Sequence, residues 1–125
     1  MANPKRRIWI GIVVSTLSGL VFVFSGGMKL VGGEEVAAGF EHLELRESLR
    51  LPIGILELAC TVLYLVPATA GLGAVLLTGY LGGAILAHLR VGDPIVLPLV
   101  LGGLVWLGLY LREERLWPLL PLRKR

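Results

Sequence analysis

Chemistry that needs paired thiols is missing from this chain. Cys60 is the single cysteine among 125 residues, so there is no disulfide within the chain, no C-x-x-C motif and no intramolecular dithiol exchange. Histidine is almost as scarce. His42 and His88 are the only two, and a bis-histidine haem would require a surface loop to fold inward. No group of His, Cys, Asp and Glu has the usual metal-ligand spacing, so no metal is expected. A phosphate-binding glycine loop is absent, and so is a nucleophile–base motif. These gaps argue against a self-contained enzyme. Cys60 reads most simply as a small buried residue.

Hydrophobic residues are abundant. They make up 55% of the chain, and the mean hydropathy is +0.79. Four apolar runs carry most of this: Ile8–Met28, Leu51–Val66, Ala68–Leu89 and Ile95–Leu111. A membrane-spanning helix needs about 20 such residues, with a range of roughly 17–25. The first and third runs meet this. The second is short and needs help from polar flanks or local bilayer thinning. Pro52 lies near its start and Pro67 breaks it from the next run; Pro98 falls in the first turn of the fourth, where proline costs little. The runs are continuous rather than alternating, which opposes a β-barrel. The expected fold is all-α: one integral membrane domain over residues 1–125, an antiparallel bundle of four spans.

Charge placement sets the expected topology. Lys5, Arg6 and Arg7 precede the first span; Arg112, Arg115, Arg123, Lys124 and Arg125 follow the fourth. The link around Pro67 has no Lys or Arg. Lys29, Arg46, Arg50 and Arg90 fall on the other side. The positive-inside rule then places both termini in the cytoplasm of a cell with the chain in its inner (plasma) membrane. The net charge of +3 is accounted for by topology signals and contact with anionic lipid, without nucleic acid. The N-terminus also has the layout of a signal peptide, but the apolar run is long for one and no A-x-A-like site follows, so it reads as a retained span. Trp9, Trp117 and Tyr110 lie at span ends and read as interfacial anchors.

Between the first and second spans lies the only long loop. Gly32-Gly33 breaks the first helix; Val36, Phe40 and Leu43 then recur at helical spacing with acids opposite. This pattern predicts a short amphipathic helix on the outer membrane surface, a connector or a lid.

Glu57 is the only charge in the second run. Ionisable groups at membrane depth are costly, and normally face the protein interior and find a partner. The faces suggest where. Ser15, Ser18, Phe22, Ser25 and Lys29 form one stripe on the first span. Gly54, Glu57, Cys60, Thr61 and Tyr64 form another on the second. The third offers a Gly79/Gly83 pair beside Tyr80, Ala84, Ala87 and His88, and the fourth offers Gly102, Trp106 and Tyr110. Small residues permit close helix contact in lipid; whether Gly79/Gly83 serves the bundle or a homo-oligomer stays open. Glu57 lies six residues past Leu51, roughly 9 Å along the axis. Lys29, Glu57, His88 and Arg90 therefore share the outer half. They predict one polar cluster with Ser25, with Lys29, His88 or Arg90 as partner to Glu57 and with Asp93 holding Arg90 at the rim.

Several segments in order resemble the DoxX-like family of small bacterial four-helix membrane proteins. They are Ser25-Gly26-Gly27-Met28-Lys29-Leu30, Ile53-Gly54-Ile55-Leu56-Glu57-Leu58, Pro67 to Ala74, Gly82-Gly83-Ala84, His88-Leu89-Arg90 and Gly92-Asp93-Pro94. The founding members look like subunits of a thiosulfate:quinone oxidoreductase, and other relatives are linked to membrane redox or detoxification assemblies. The resemblance implies Lys29, Glu57, His88 and Arg90 as the polar set, with quinone as the one cofactor in view. It supplies no substrate. Two functions are expected. One is an accessory subunit holding a quinone, lipid or other amphipathic ligand for a membrane redox partner protein. The other is a structural or assembly protein whose charges only fix helix packing, with a small transporter a weaker third.

Overall fold

The computed structural model of the chain describes residues 3–119. The basic residues Arg123, Lys124 and Arg125, read above as a topology signal, lie outside the described residues. Among those described there are five α-helices and three short 3-10 segments, so the chain holds more helical pieces than four spans and a connector.

α1 runs Pro4–Val31. Asn3 caps it, its side chain accepting from the Lys5 and Arg6 amides at 3.0 and 3.2 Å, and Pro4 occupies the first position, where no amide is needed. Gly32 ends it in a left-handed conformation (φ 80°) that side chains resist, and its amide returns to the Met28 carbonyl at 2.8 Å. α2, Glu34–His42, places Glu34 and Glu35 in its first turn, where the helix dipole favours acids. A 3-10 turn, Glu47–Leu49, leads into α3, Arg50–Leu65. Val66 is extended because Pro67 follows it. A second 3-10 turn, Pro67–Thr69, starts α4, Ala70–Arg90. α5 runs Val96–Arg112, followed by a 3-10 segment, Glu114–Leu119.

Three helical stretches are long and apolar enough to cross a membrane: Pro4–Val31, Glu47–Leu65 and Pro67–Arg90. α5 has 17 residues, about 25 Å at 1.5 Å per residue, against a hydrocarbon core of about 30 Å.

α1 packs against α3 and α5, and α4 closes the ring by packing on α3 and α5. Neighbours run in opposite directions. Arg7, near the start of α1, meets Leu111 at the end of α5, while Lys29, near the end of α1, meets Arg50 at the start of α3. Phe22, Cys60, Tyr64, Ala74, Leu77, Val105 and Leu109 fill the centre. The outer skin is apolar too: Leu17, Leu20, Phe24, Ile55, Leu86 and Leu99 are exposed. A soluble bundle would put polar groups there, whereas lipid takes apolar ones.

The stripes expected on α1 and α3 face inward. Ser15, Ser18 and Phe22 are buried on α1, and Gly54, Glu57, Cys60, Thr61 and Tyr64 on α3. One open choice is decided within the bundle, and one expectation shifts. α4 packs through Ala70, Gly73, Ala74, Leu77 and Leu81, not through Gly79 and Gly83. Gly73 allows this, since a Cβ there would come 2.6 Å from the Leu63 carbonyl carbon and closer still to Tyr64. A Cβ at Gly79 or Gly83 meets nothing within 4 Å. α5 buries Leu101, Val105, Gly108 and Leu109, one register step from the expected Gly102, Trp106 and Tyr110.

Candidate functional site

Glu57 is 2% exposed, one to two turns into α3, and it is not alone. Its Oε1 accepts from Lys29 Nζ at 3.0 Å, from the Tyr80 hydroxyl at 2.9 Å and from Ser25 Oγ at 3.2 Å. Lys29 Nζ also donates to Ser25 Oγ at 2.8 Å. Ser25 and Lys29 are four apart on α1, which stacks them on one face. Gly26 and Gly54 let α1 and α3 come close beside them: a Cβ on Gly54 would lie 2.9 Å from Lys29 Cβ. The charges cancel in place, and three donors meet one carboxylate oxygen, which offsets much of the desolvation cost of burying it. Oε2 takes no hydrogen bond among the described residues.

The remaining expected residues part company with this group. His88 makes no bond to Glu57. Its Nδ1 lies 2.9 Å from Asp93 Oδ2, and His42 Nε2 lies 2.8 and 2.9 Å from the two oxygens of the same carboxylate. A carboxylate only accepts, so both ring nitrogens carry the proton in these contacts. Hydrogen bonds from His42, and next from His88, hold the Asp93 carboxyl below its ordinary value. Asp93 therefore does not hold Arg90, as the sequence suggested. Arg90 donates to the Leu43 carbonyl and lies 3.9 Å from Glu44.

Helix ends explain this correction. Leu43 follows the last residue of α2, where carbonyls lack intrahelical partners, and a guanidinium can cap them. Arg50 does the same for α1, donating to the Lys29 and Leu30 carbonyls. Arg90 is the last residue of α4, ten beyond Tyr80 and so roughly 15 Å nearer the rim. It is too far along the helix to reach Glu57.

Tyr80 is the residue that sequence reasoning missed as a partner. Its signal was depth: eight residues before His88 on α4, about 12 Å further in, it lies level with a deep acid on α3. His42 was also passed over, because its role depends on α2 folding back over the bundle.

Three cavities lie at this end, and Lys29 and His88 line all three. The largest, about 400 Å³, runs between α3 and α4. Ile53 and Leu56 form one wall, Gly79, Gly83, Ala84 and Ala87 the other, and Phe40, Leu43 and Leu45 the roof. Among the described residues, Tyr80, Lys29 and His88 are its only polar lining. The second, about 380 Å³, lies beneath α2. The third, about 190 Å³, reaches Glu57 between α1, α4 and α5. No group of metal-ligating side chains occurs among the described residues.

The opposite end is held by arginine. Arg7 is buried, donating to the Leu111 carbonyl at 3.0 Å and to Glu114 at 2.7 Å, with its guanidinium 4.6 Å from the Trp117 ring centroid. Trp117 stacks on Tyr110. At the rim, Arg115 and then Arg112 hold the Glu113 carboxyl down at about 2.

No curated protein and no solved structure matches the chain. A family model does, over residues 13–108, a stretch that takes in Ser25, Lys29, Glu57, Tyr80, His88 and Asp93. With the apolar helices and that match together, the chain is a membrane protein that belongs to the DoxX-like family.

Proposed function

We propose that this protein is an accessory, ligand-binding subunit of a plasma-membrane redox assembly, and not an enzyme on its own. In this reading α1, α3, α4 and α5 are four spans, α5 crossing with local thinning of the bilayer. Both termini lie in the cytoplasm, and the Glu57 end lies toward the outer leaflet. The ligand is amphipathic, a quinone or a lipid, with its tail in the α3–α4 groove and its head near Lys29 and His88.

One observation carries this reading: a groove of about 400 Å³ whose polar lining, among the described residues, is Tyr80, Lys29 and His88 alone. That volume is in the range of small-molecule sites, and such sites are mostly apolar with a few converging polar groups. A helix pair needing only stability would close on itself. Here Gly79 and Gly83 leave the gap open.

Binding of decylubiquinol, the reduced form of decylubiquinone, to the purified protein in lipid nanodiscs tests the proposal. Glu57→Gln is expected to weaken binding about tenfold while leaving membrane insertion intact. Unchanged binding would remove Glu57 from the site. A purely structural role also has an observation behind it, because the Glu57 carboxylate ties α1, α3 and α4 together. On that reading Glu57→Gln lowers the melting temperature and no probe binds either form.

A further inference from the structure

The hydrogen-bonding capacity left over around Glu57 indicates which head groups fit, a step that rests on the ligand-binding reading above. The cavity of about 190 Å³ is lined by Ser25, Lys29, Glu57, Tyr80 and His88 among apolar groups. Each polar atom can be accounted for. Tyr80 and Ser25 have spent their hydroxyl protons on Glu57 Oε1. Lys29 has spent two of its three N–H groups, on Glu57 and Ser25. His88 has spent Nδ1–H on Asp93.

What remains is mostly able to accept. Glu57 Oε2 is an acceptor with no partner among the described residues, on a side chain 98% buried by its 2% exposure. His88 Nε2, in the neutral ring, is a second acceptor, and the Tyr80 oxygen keeps a lone pair. Against these stands one donor, the third N–H of Lys29. The Lys29–Glu57 pair is already neutral as a unit, so a charged head would bring an uncompensated charge into a low-dielectric site.

We infer that this cavity is built for a neutral head group carrying at least two hydroxyl donors, attached to an apolar tail in the α3–α4 groove. Its hydroxyls donate to Glu57 Oε2 and His88 Nε2, and Lys29 donates to one of their oxygens. A head of the same shape without O–H groups leaves a buried carboxylate oxygen unpaired, which is penalised more heavily than a missing attraction. A dihydroxybenzene and a glycerol monoester share this chemistry.

Two matched pairs of probes test it on the protein in nanodiscs: decylhydroquinone against its dimethyl ether, and monodecanoylglycerol against its dimethyl ether. The expected result is that the diol binds about tenfold more tightly than the ether in at least one pair, with the preferred pair naming the source. Glu57→Gln and His88→Phe should each narrow that ratio. His88→Phe leaves the buried ion pair in place, so it keeps the test open if Glu57→Gln fails to fold. Equal affinities within both pairs would overturn this inference and leave the ligand-binding reading standing. No binding by any of the four probes would overturn both.

Discussion

Glu57 shows how a single residue can be placed by sequence and explained only by its neighbours. An acid in an apolar run must find a cation, and Lys29 is that cation, at 3.0 Å. Lys29 is 19% exposed at its side chain while Glu57 is 2% exposed. Breaking the pair from the two sides should therefore be unequal. Lys29→Met strands a buried carboxylate, expected to cost about 3–5 kcal/mol. Glu57→Gln strands a lysine that can still reach water and keeps a side-chain oxygen for Tyr80, expected to cost about 1–2 kcal/mol. The double variant should cost less than the sum, which a double-mutant cycle of thermal unfolding in detergent would measure. Strict additivity would mean that the pair contributes no coupling.

Asp93 gives a pH-dependent contact at the same scale. Its ordinary value is 3.8, and hydrogen bonds from His42 and His88 lower it in the folded state. A folded value below the unfolded one means that the ionised form favours the folded contacts. The contribution is present above the ordinary carboxylate range and is lost as pH falls below about 4 toward the lowered folded value. Protection of the amides of residues 34–45 against hydrogen exchange should fall in that window. Asp93→Asn should show the lower protection already at neutral pH, with the acid dependence flattened. Equal protection in both proteins at neutral pH would show that Asp93 does not hold α2.

At the scale of elements, the same residue type has two opposite uses. Gly73 is where α4 touches the α3 backbone, and Gly83 is where α4 stays away. Gly73→Ala should destabilise by about 3 kcal/mol, because overpacking against backbone has no rotamer to relieve it. Gly83→Leu should leave the melting temperature unchanged or higher, since leucine favours helix and meets no neighbour at its Cβ. It should also fill the α3–α4 groove and abolish decylubiquinol binding. A melting temperature that falls for Gly83→Leu as it does for Gly73→Ala would mean that the groove closes in the membrane. Periodicity could not tell these glycines apart. Both sit on apolar helix faces in the sequence, and only the splay of α4 from α3 separates them.

For the whole molecule, the surplus of apolar surface decides the environment. Lys29, Glu57, His88 and α2 collect at one end, while Arg7, Arg112 and Glu114 collect at the other. The proposed topology places the first group outside the cytoplasm. Glu41→Cys on exposed α2 should then react with a membrane-impermeant maleimide added to intact cells, and Arg115→Cys should react only after lysis. The reverse pattern would invert the topology. Cys60 is buried in the core, so it should not obscure the labelling.

The helical class, the apolar runs and the inward stripes of α1 and α3 were legible in residue order, because helical period and transfer energy are local properties. So was the set Ser25, Lys29 and Glu57, because depth along a helix follows from counting residues. The separation of His88 and Arg90 from Glu57, the pairing of Asp93 with His42 and His88 in place of Arg90, the reach of Tyr80 and the opening beside Gly79 and Gly83 were not. Each depends on how far one helix turns or leans against another, and that is settled by many weak contacts at once.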